Sequence, residues 1–365
     1  ETNLSKPTVS SLVDELIVNK YLIDCGTVAS QQMGRRPNEL RVNGTENLVA
    51  VISWRRARLD IALITADNKI AFRDQIPLTE EEDKVDKITS TFFNIMKPKV
   101  GDKRIMGLCI IIPGIIDAEN KRILSTVIGV GYSDPVVQRF EEAFHDYPFC
   151  LLNDTACFAY AEYVFANITE PNFAYINVSK GVGACLFANG KMLRGAGSNA
   201  TQFGHFSIDR NGPLCACGNH GCVERVVGEN ALTERAEACG IDLTRFAGRK
   251  PLYCDIGAMA EDGDAHAKEL IKDLAVDLSF AISNLITLFN PSLVVIGGMG
   301  VNLGPFFLSN IRDEVQNSGF KEFVSNTWIQ YSTLGLDSEL GGAARYYIDH
   351  YYDFFEQMQG GLYAD

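Results

Sequence analysis

Apolar residues near the start of the chain recur at helical spacing: Leu4, Val9, Leu12, Val13, Leu16 and Ile17 share one face of a 3.6-residue repeat. Ser5 is placed to cap such a helix and Pro7 to sit in its first turn, so the pattern predicts a short amphipathic helix of about three turns. The stretch DCGTVASQQMGRRPNELRV that follows is polar, with turn residues in its middle and an extended segment on each side, like a small β-wing. From Leu48 the helical period gives way to unbroken apolar runs. LVAVISWRRARLDIALITADNKIAFRDQI predicts a meander of antiparallel strands with a turn at Asp67-Asn68. RIMGLCIIIPGIID reads as a buried strand ending in Pro113-Gly114, and FCLLND as another that leads into the helix TACFAYAEYVFA. FAYINVSKGVGACLFANGKMLRGAGSNATQFGH repeats the meander. AVDLSFAISNLITLFNPSLVVIGGMG then predicts a long helix stopped by Asn290-Pro291, a buried strand and a glycine loop, and GGAARYYIDHYYDFF a closing helix. Both halves follow a meander with alternating strand and helix, which predicts an internal duplication. Duplicated α/β halves with glycine loops after their strands are expected to hold a ligand cleft between them.

Composition narrows the class of protein. The chain has 365 residues, 46% hydrophobic and 22% charged, enough for two or three domains with full cores. No apolar run has the length of a membrane span and no secretory leader is visible, so a cytoplasmic protein without a membrane partner is expected. Ten cysteines are too few for a disulfide scaffold. Cys109, Cys150, Cys157 and Cys185 lie inside apolar runs as small core residues do, and only Cys215, Cys217 and Cys222 are clustered. A net charge of −13 argues against a body that wraps nucleic acid nonspecifically. In residues 1–41, however, five Lys or Arg balance five Asp or Glu, which leaves room for a local nucleic-acid contact. There Lys6, Thr8, Ser10 and Ser11 occupy the end of the helix that a recognition helix presents to base edges, and Arg35 and Arg36 stand in the wing. An ordinary solvated helix and loop would carry the same residues, and the partner helix of a helix-turn-helix does not precede them in this sequence.

GHFSIDRNGPLCACGNHGCVER, residues 204–225, gathers His205, Cys215, Cys217 and Cys222. Imidazole and thiolates are the tetrahedral ligand set of a structural Zn2+ site. Gly204, Gly212, Gly218 and Gly221 let a loop fold tightly around an ion, and His220 is a competing ligand. The bland alternative is a reduced loop of unconnected residues. A zinc-ribbon nucleic-acid module would show two separated cysteine pairs, and this sequence shows one cluster. Gly204-His205 followed by C-x-C-G-x-x-G-C-x-E resembles the signature of the ROK family, named for repressors, open reading frames and sugar kinases, and the resemblance covers nearly the whole chain. It implies an α/β fold of the actin-like, hexokinase type, with duplicated ribonuclease H-like domains around a sugar-and-nucleotide cleft. A partial winged helix-turn-helix segment would occupy residues 1–44. The first domain would take 45–152 plus 343–365, and the second 153–342 with the zinc loop 204–225.

The same resemblance assigns roles. LLNDTACFAYAE matches the family turn whose asparagine grips a sugar hydroxyl and whose aspartate is the general base toward ATP, which points to Asn153 and Asp154. Spacing alone fits Asp154 equally well as a cap of the following helix. Further sugar contacts map to Gln202, His205 and Glu224, although QFGH puts an amide where the family has a carboxylate. Zinc would hold His205 by one ring nitrogen and leave the other to the sugar. On the nucleotide side the family's DxGxT turn is replaced by SWRRA: Trp54, Arg55 and Arg56 would fill the space that glycines leave open, and Ser53 removes the metal-side carboxylate. SKGVGA and GGMG keep their glycines, for phosphate or for turn geometry alone, and STVIGVGYSD lacks the family's asparagine. The expected protein is a sugar-responsive repressor of the branch typified by xylose and N-acetylglucosamine repressors. It would bind operator DNA as a homodimer or dimer of dimers and take a small-molecule sugar effector, with Asp154 as a vestigial base and without ATP or Mg2+. Kinases of the family start near the first strand, so the residues ahead of it favour the regulator. The alternatives are an ATP-dependent sugar kinase, of glucokinase or N-acetyl amino sugar kinase type, and a kinase-like body that acts in assembly alone.

Overall fold

Ser5 begins the first helix as the pattern predicts. In the computed structural model, which describes residues 4–27, 38–126, 128, 130, 134–196, 200–319 and 321–352, its hydroxyl accepts from the Thr8 N–H at 3.4 Å. α1 (Lys6–Val18) exposes Lys6, Thr8, Ser10 and Ser11 and half-buries Leu12, Val13, Leu16 and Ile17; none of its residues is fully buried. β1 (Leu22–Thr27) and β2 (Asn38–Val42) pair antiparallel with Leu22 opposite Val42, the two strands expected of a wing. Arg35 and Arg36 lie outside the described residues. Between α1 and β1, Tyr21 is buried at 4% exposure; its hydroxyl meets that of Tyr352 at 3.2 Å and the Arg104 guanidinium covers its ring at 4.4 Å. The Asn47 side chain donates to Lys20 O at 3.0 Å and to Asn43 O at 2.9 Å, which ties this junction to the strand that follows.

The chain divides into two units, Glu1–Tyr160 with Leu340–Asp365, and Ala161–Glu339. In the first, β3 (Asn47–Trp54), β4 (Arg58–Thr65) and β5 (Ile70–Pro77) form the antiparallel meander, and Asn68 turns the chain between the last two with a left-handed φ of 63°. α2 (Lys84–Thr91), a π-helical turn and α3 (Lys97–Val100) lead to β6 (Arg104–Ile112). A small hairpin of β7 (Gly114–Asp117) and β8 (Arg122–Thr126) and then α4 (Val136–Ala143) lead to β9 (Phe149–Asn153). β6 and β9 join β3 in parallel, giving the order β5-β4-β3-β6-β9. One face of β3, made by Leu48, Ala50, Ile52 and Trp54, packs in a core with Phe92 and Phe140. β9 runs directly into α5 (Asp154–Phe165).

In the second unit β10 (Phe173–Val178), β11 (Val182–Ala188) and the short β12 (Lys191–Met192) repeat the meander. α6 (Val223–Val227), α7 (Glu229–Ala238), α8 (Tyr253–Glu261) and α9 (Ala265–Phe289) follow, then β13 (Leu293–Gly297), α10 (Gly304–Gln316), α11 (Lys321–Val324) and β14 (Trp328–Tyr331). The order β12-β11-β10-β13-β14, with the last two strands parallel to β10, copies the first sheet strand for strand, which is the expected duplication. α9 stops where Asn290 takes a left-handed φ of 49° ahead of Pro291. α12 (Ser338–His350) closes the described chain. The division between units falls inside α5 and not ahead of Asn153, because the first turns of α5 belong to the packing of the first unit: Tyr160 donates to Asp349 of α12 at 2.6 Å. Among the described residues no helix is long and apolar enough to cross a membrane.

Candidate functional site

The loop between β12 and α6 folds back on itself through short contacts. Ser207 bridges to Cys222 and Leu214 to His220, and Gly218 and Gly221 take left-handed φ values of 89° and 61° that a side chain would resist. A Cβ on Gly204 would stand 1.8 Å from Val182 O, so glycine is needed where the 3-10 turn carrying His205 crosses β11. The result brings His205, Cys215, Cys217 and Cys222 together with all four donor atoms within 4.8 Å of one another. His205 Nδ1 lies 3.6 Å from Cys215 Sγ, and Cys217 Sγ 3.6 Å from Cys222 Sγ. Four ligands at metal–donor distances of about 2.0–2.3 Å around one ion have edges of roughly 3.3–3.8 Å; the two 3.6 Å pairs match such an edge, and the set could chelate a metal. His220 is outside the group; its Nδ1 faces Gly212 O at 3.0 Å. The Asn219 N–H lowers the Cys217 thiol, whereas burial pushes Cys222 up to about 12. A cation at the centre would supply charge that favours the thiolate form of Cys217 and Cys222.

Glu224 sits in the first turn of α6, two residues after Cys222, and its Oε2 accepts from Val182 N–H at 3.2 Å. Gly181 permits this approach, since a Cβ there would meet the same oxygen at 2.5 Å. In the second glycine loop, Gly298 has a φ of 80° and a Cβ on Gly297 would reach Tyr175 Oη at 2.1 Å, so turn geometry and packing require glycine at both positions. Gln202 lines a cavity of about 230 Å³ whose other walls include Phe203, Phe206, Leu285 and Phe289. Thr201, just before it, holds a left-handed φ of 66° with its hydroxyl bonded to Ala184 O at 2.8 Å. That conformation is costly for a β-branched residue and marks strain beside the metal loop; no sequence signal announces it.

In the first unit Asn153 caps α5, not Asp154. Asn153 Oδ1 accepts from Ala156 N–H at 3.0 Å and its amide donates to Gly114 O at 2.6 Å. Asp154 Oδ1 accepts from Thr155 N–H at 2.8 Å, and Oδ2 lies 4.0 Å from the Arg55 guanidinium. Burial raises the Asp154 carboxyl above the usual carboxylate range, against the opposing charge of Arg55. The expectation that Trp54 fills a phosphate space is corrected: Trp54 is 2% exposed and packs in the core on the opposite strand face from Ser53. Of Trp54, Arg55 and Arg56, only the two arginines stand in the turn between β3 and β4, and Arg56 is exposed. Sequence reading missed the pairing of Arg55 with Asp154, for which the run of charges in WRRARLD was the available hint.

A sequence profile of the ROK family matches residues 53–349. The chain belongs to the ROK family. A xylose repressor of Bacillus subtilis (strain 168) is 26% identical over 360 residues, spanning 96% of this chain and 90% of its own. In three dimensions the chain resembles a ROK family transcriptional regulator described as a homolog of the E. coli MLC protein, with a TM-score of 0.78 and 24% identity over 94% of this chain and 88% of the other. It also resembles a ROK family glucokinase from Streptomyces griseus solved with glucose and AMPPNP, with a TM-score of 0.67 and 22% identity over 81% and 98%. ROK relatives of this chain thus divide between transcriptional regulators and sugar kinases on one α/β fold.

Proposed function

We propose that the chain is a sugar-responsive transcriptional repressor. It binds operator DNA through α1 and the β1–β2 wing, as a homodimer matching paired half-sites. Its kinase-like body takes a sugar through Asn153, Asp154, Gln202, His205 and Glu224, and a structural zinc ion on His205, Cys215, Cys217 and Cys222 orders the loop that carries His205 and leads into Glu224. The observation that carries this reading is the exposed, capped helix followed by a two-stranded wing ahead of the family match, with Lys6, Thr8, Ser10 and Ser11 open to solvent. The xylose repressor similarity, which spans nearly the whole chain, supports it. A cytoplasmic location follows from that role.

The DNA reading is tested on duplexes selected by the intact protein from a random pool. Replacing Arg35 and Arg36 with alanine should weaken binding and reduce the salt slope by about two, one phosphate contact per arginine. Undiminished binding and slope in the double variant would move the DNA contact elsewhere.

A second reading, an ATP-dependent sugar kinase, is favoured by Asp154 at a strand end, where a carboxylate with a raised pKa suits a general base. Against it, Arg55 and Arg56 stand in the turn after β3, where phosphates need open backbone, and Ser53 near the end of β3 stands where a metal needs a carboxylate. A coupled ADP-release assay over hexoses, pentoses and N-acetyl amino sugars is expected to show turnover below about 1 s⁻¹, the low end of typical kinases. Faster turnover would replace the regulator reading with the enzyme.

A further inference from the structure

Arg55 opens the tight turn between β3 and β4, where its N–H donates to Arg58 O at 2.9 Å. Its guanidinium reaches two carboxylates of the first unit, Asp60 Oδ2 at 3.6 Å and Asp154 Oδ2 at 4.0 Å. Asp60 is itself held on its other oxygen by Arg58 Nε at 2.9 Å and Gln75 Nε2 at 2.7 Å, so the near side of Arg55 is anchored. Ser53, the cross-strand partner of Asp60, is 1% exposed, and its hydroxyl has no hydrogen-bond partner among the described residues. The side chains of Arg55 and Asp154 are 29% and 16% exposed, too sheltered for water alone to solvate a carboxylate fully. An ionised carboxylate accepts hydroxyl hydrogen bonds on both oxygens, whereas a protonated one loses part of that capacity.

We infer that Arg55 is a positioning residue for the effector site: anchored by Asp60, it gives Asp154 a built-in cation, so that the carboxylate accepts sugar hydroxyls with no metal or nucleotide bound. This rests on the sugar-binding reading of Asp154. Among the described cations of the turn, Arg58 is committed to Asp60 and Arg56 is exposed, whereas Arg55 lies within ion-pair distance of Asp154. Without Arg55, only hydrogen bonds such as that from Thr155 N–H oppose burial, and the proton stays on Asp154 to higher pH.

The test uses the full chain in magnesium-free buffer and compares wild type, Arg55→Gln, Arg55→Lys, Asp154→Asn and Arg55→Gln/Asp154→Asn. The stability difference between proteins that keep Asp154 and their Asp154→Asn counterparts, followed from pH 4 to 9, reports the titration of Asp154. Its midpoint should rise by about 1–3 pH units when Arg55 becomes Gln, with Lys restoring part of the shift. An unmoved midpoint, with the two substitutions additive, would mean that Arg55 does not set the charge of Asp154 and would overturn the inference. In parallel, protection by D-glucose, D-xylose and N-acetylglucosamine is measured by thermal shift. A sugar that protects wild type should bind Arg55→Gln about 5–10-fold more weakly one pH unit below the new midpoint, and recover as pH rises through it. A shifted midpoint with no protection of wild type by any sugar supports the Arg55–Asp154 pairing and counts against the sugar-regulator reading. Equal protection of wild type and Arg55→Gln at all pH values counts against the pairing's role and leaves that reading intact.

Discussion

Cys217→Ser is expected to remove one zinc ion per chain and to lower the melting temperature by about 10 °C. Cys217 is the exposed member of the four-donor cluster, so its replacement costs no core packing and any large loss reports the metal. A structural zinc contributes on the order of 10 kcal/mol to folding its own ligand loop. The second unit keeps a separate core of β-sheet and α9, so only part of that energy, about 3–5 kcal/mol, reaches the global transition. At roughly 2–4 °C per kcal/mol for units of this size, the shift is readily measured. Cys254→Ser, at an exposed cysteine outside the cluster, is the control and should change neither zinc content nor melting. Metal analysis and calorimetry on the same preparations decide the matter. Unchanged zinc and melting in Cys217→Ser would mean that the four donors hold no structural ion.

The cognate sugar should release operator DNA from wild type by about 5–150-fold in affinity, the range of a coupling free energy of 1–3 kcal/mol. Asp154→Ala should keep its DNA affinity and lose that response. Asp154 lies at the β9–α5 junction and forms no part of α1 or the wing, so the DNA contacts stay intact while the sugar contact is deleted. A sugar can shift the protein between states only by its differential affinity for them, and a variant that no longer grips it has no such difference. Reciprocity gives a second readout: operator DNA should weaken sugar binding to wild type by the same factor. Titration of sugar into operator complexes of both proteins measures the first effect. Equal release from the two would place the inducer outside this site.

Several parts of this molecule are legible in its sequence. The Ser5 cap, the turn at Asp67-Asn68, the stop at Asn290-Pro291 and the repeated meander all appear where the pattern puts them, because caps, turns and periodicity are set by neighbours a few residues apart. The metal cluster was legible for a related reason. Its cysteines are close in sequence, and the glycines among them leave the loop few ways to fold other than around a shared centre.

The sequence by itself thus determined the opening helix, the repeated meander, the long helix with the strand after it, and the candidate metal cluster. Tertiary structure decided which side of each element does what. Alternation along β3 says that Ser53 and Trp54 face opposite ways, yet not which of them meets the core; the packing of Phe92 and Phe140 against Ile52 and Trp54 decides that, and leaves the Ser53 hydroxyl buried on the other face. Asn153, and not Asp154, caps α5 because Gly114 O stands within reach of its amide, a contact made by pairing β9 with β6. Arg55 meets Asp154 only because the parallel register of β3, β6 and β9 carries a turn and a strand end from distant parts of the chain to one edge of the sheet. Such contacts depend on the pairing of segments far apart in sequence, and local propensity holds no information about them.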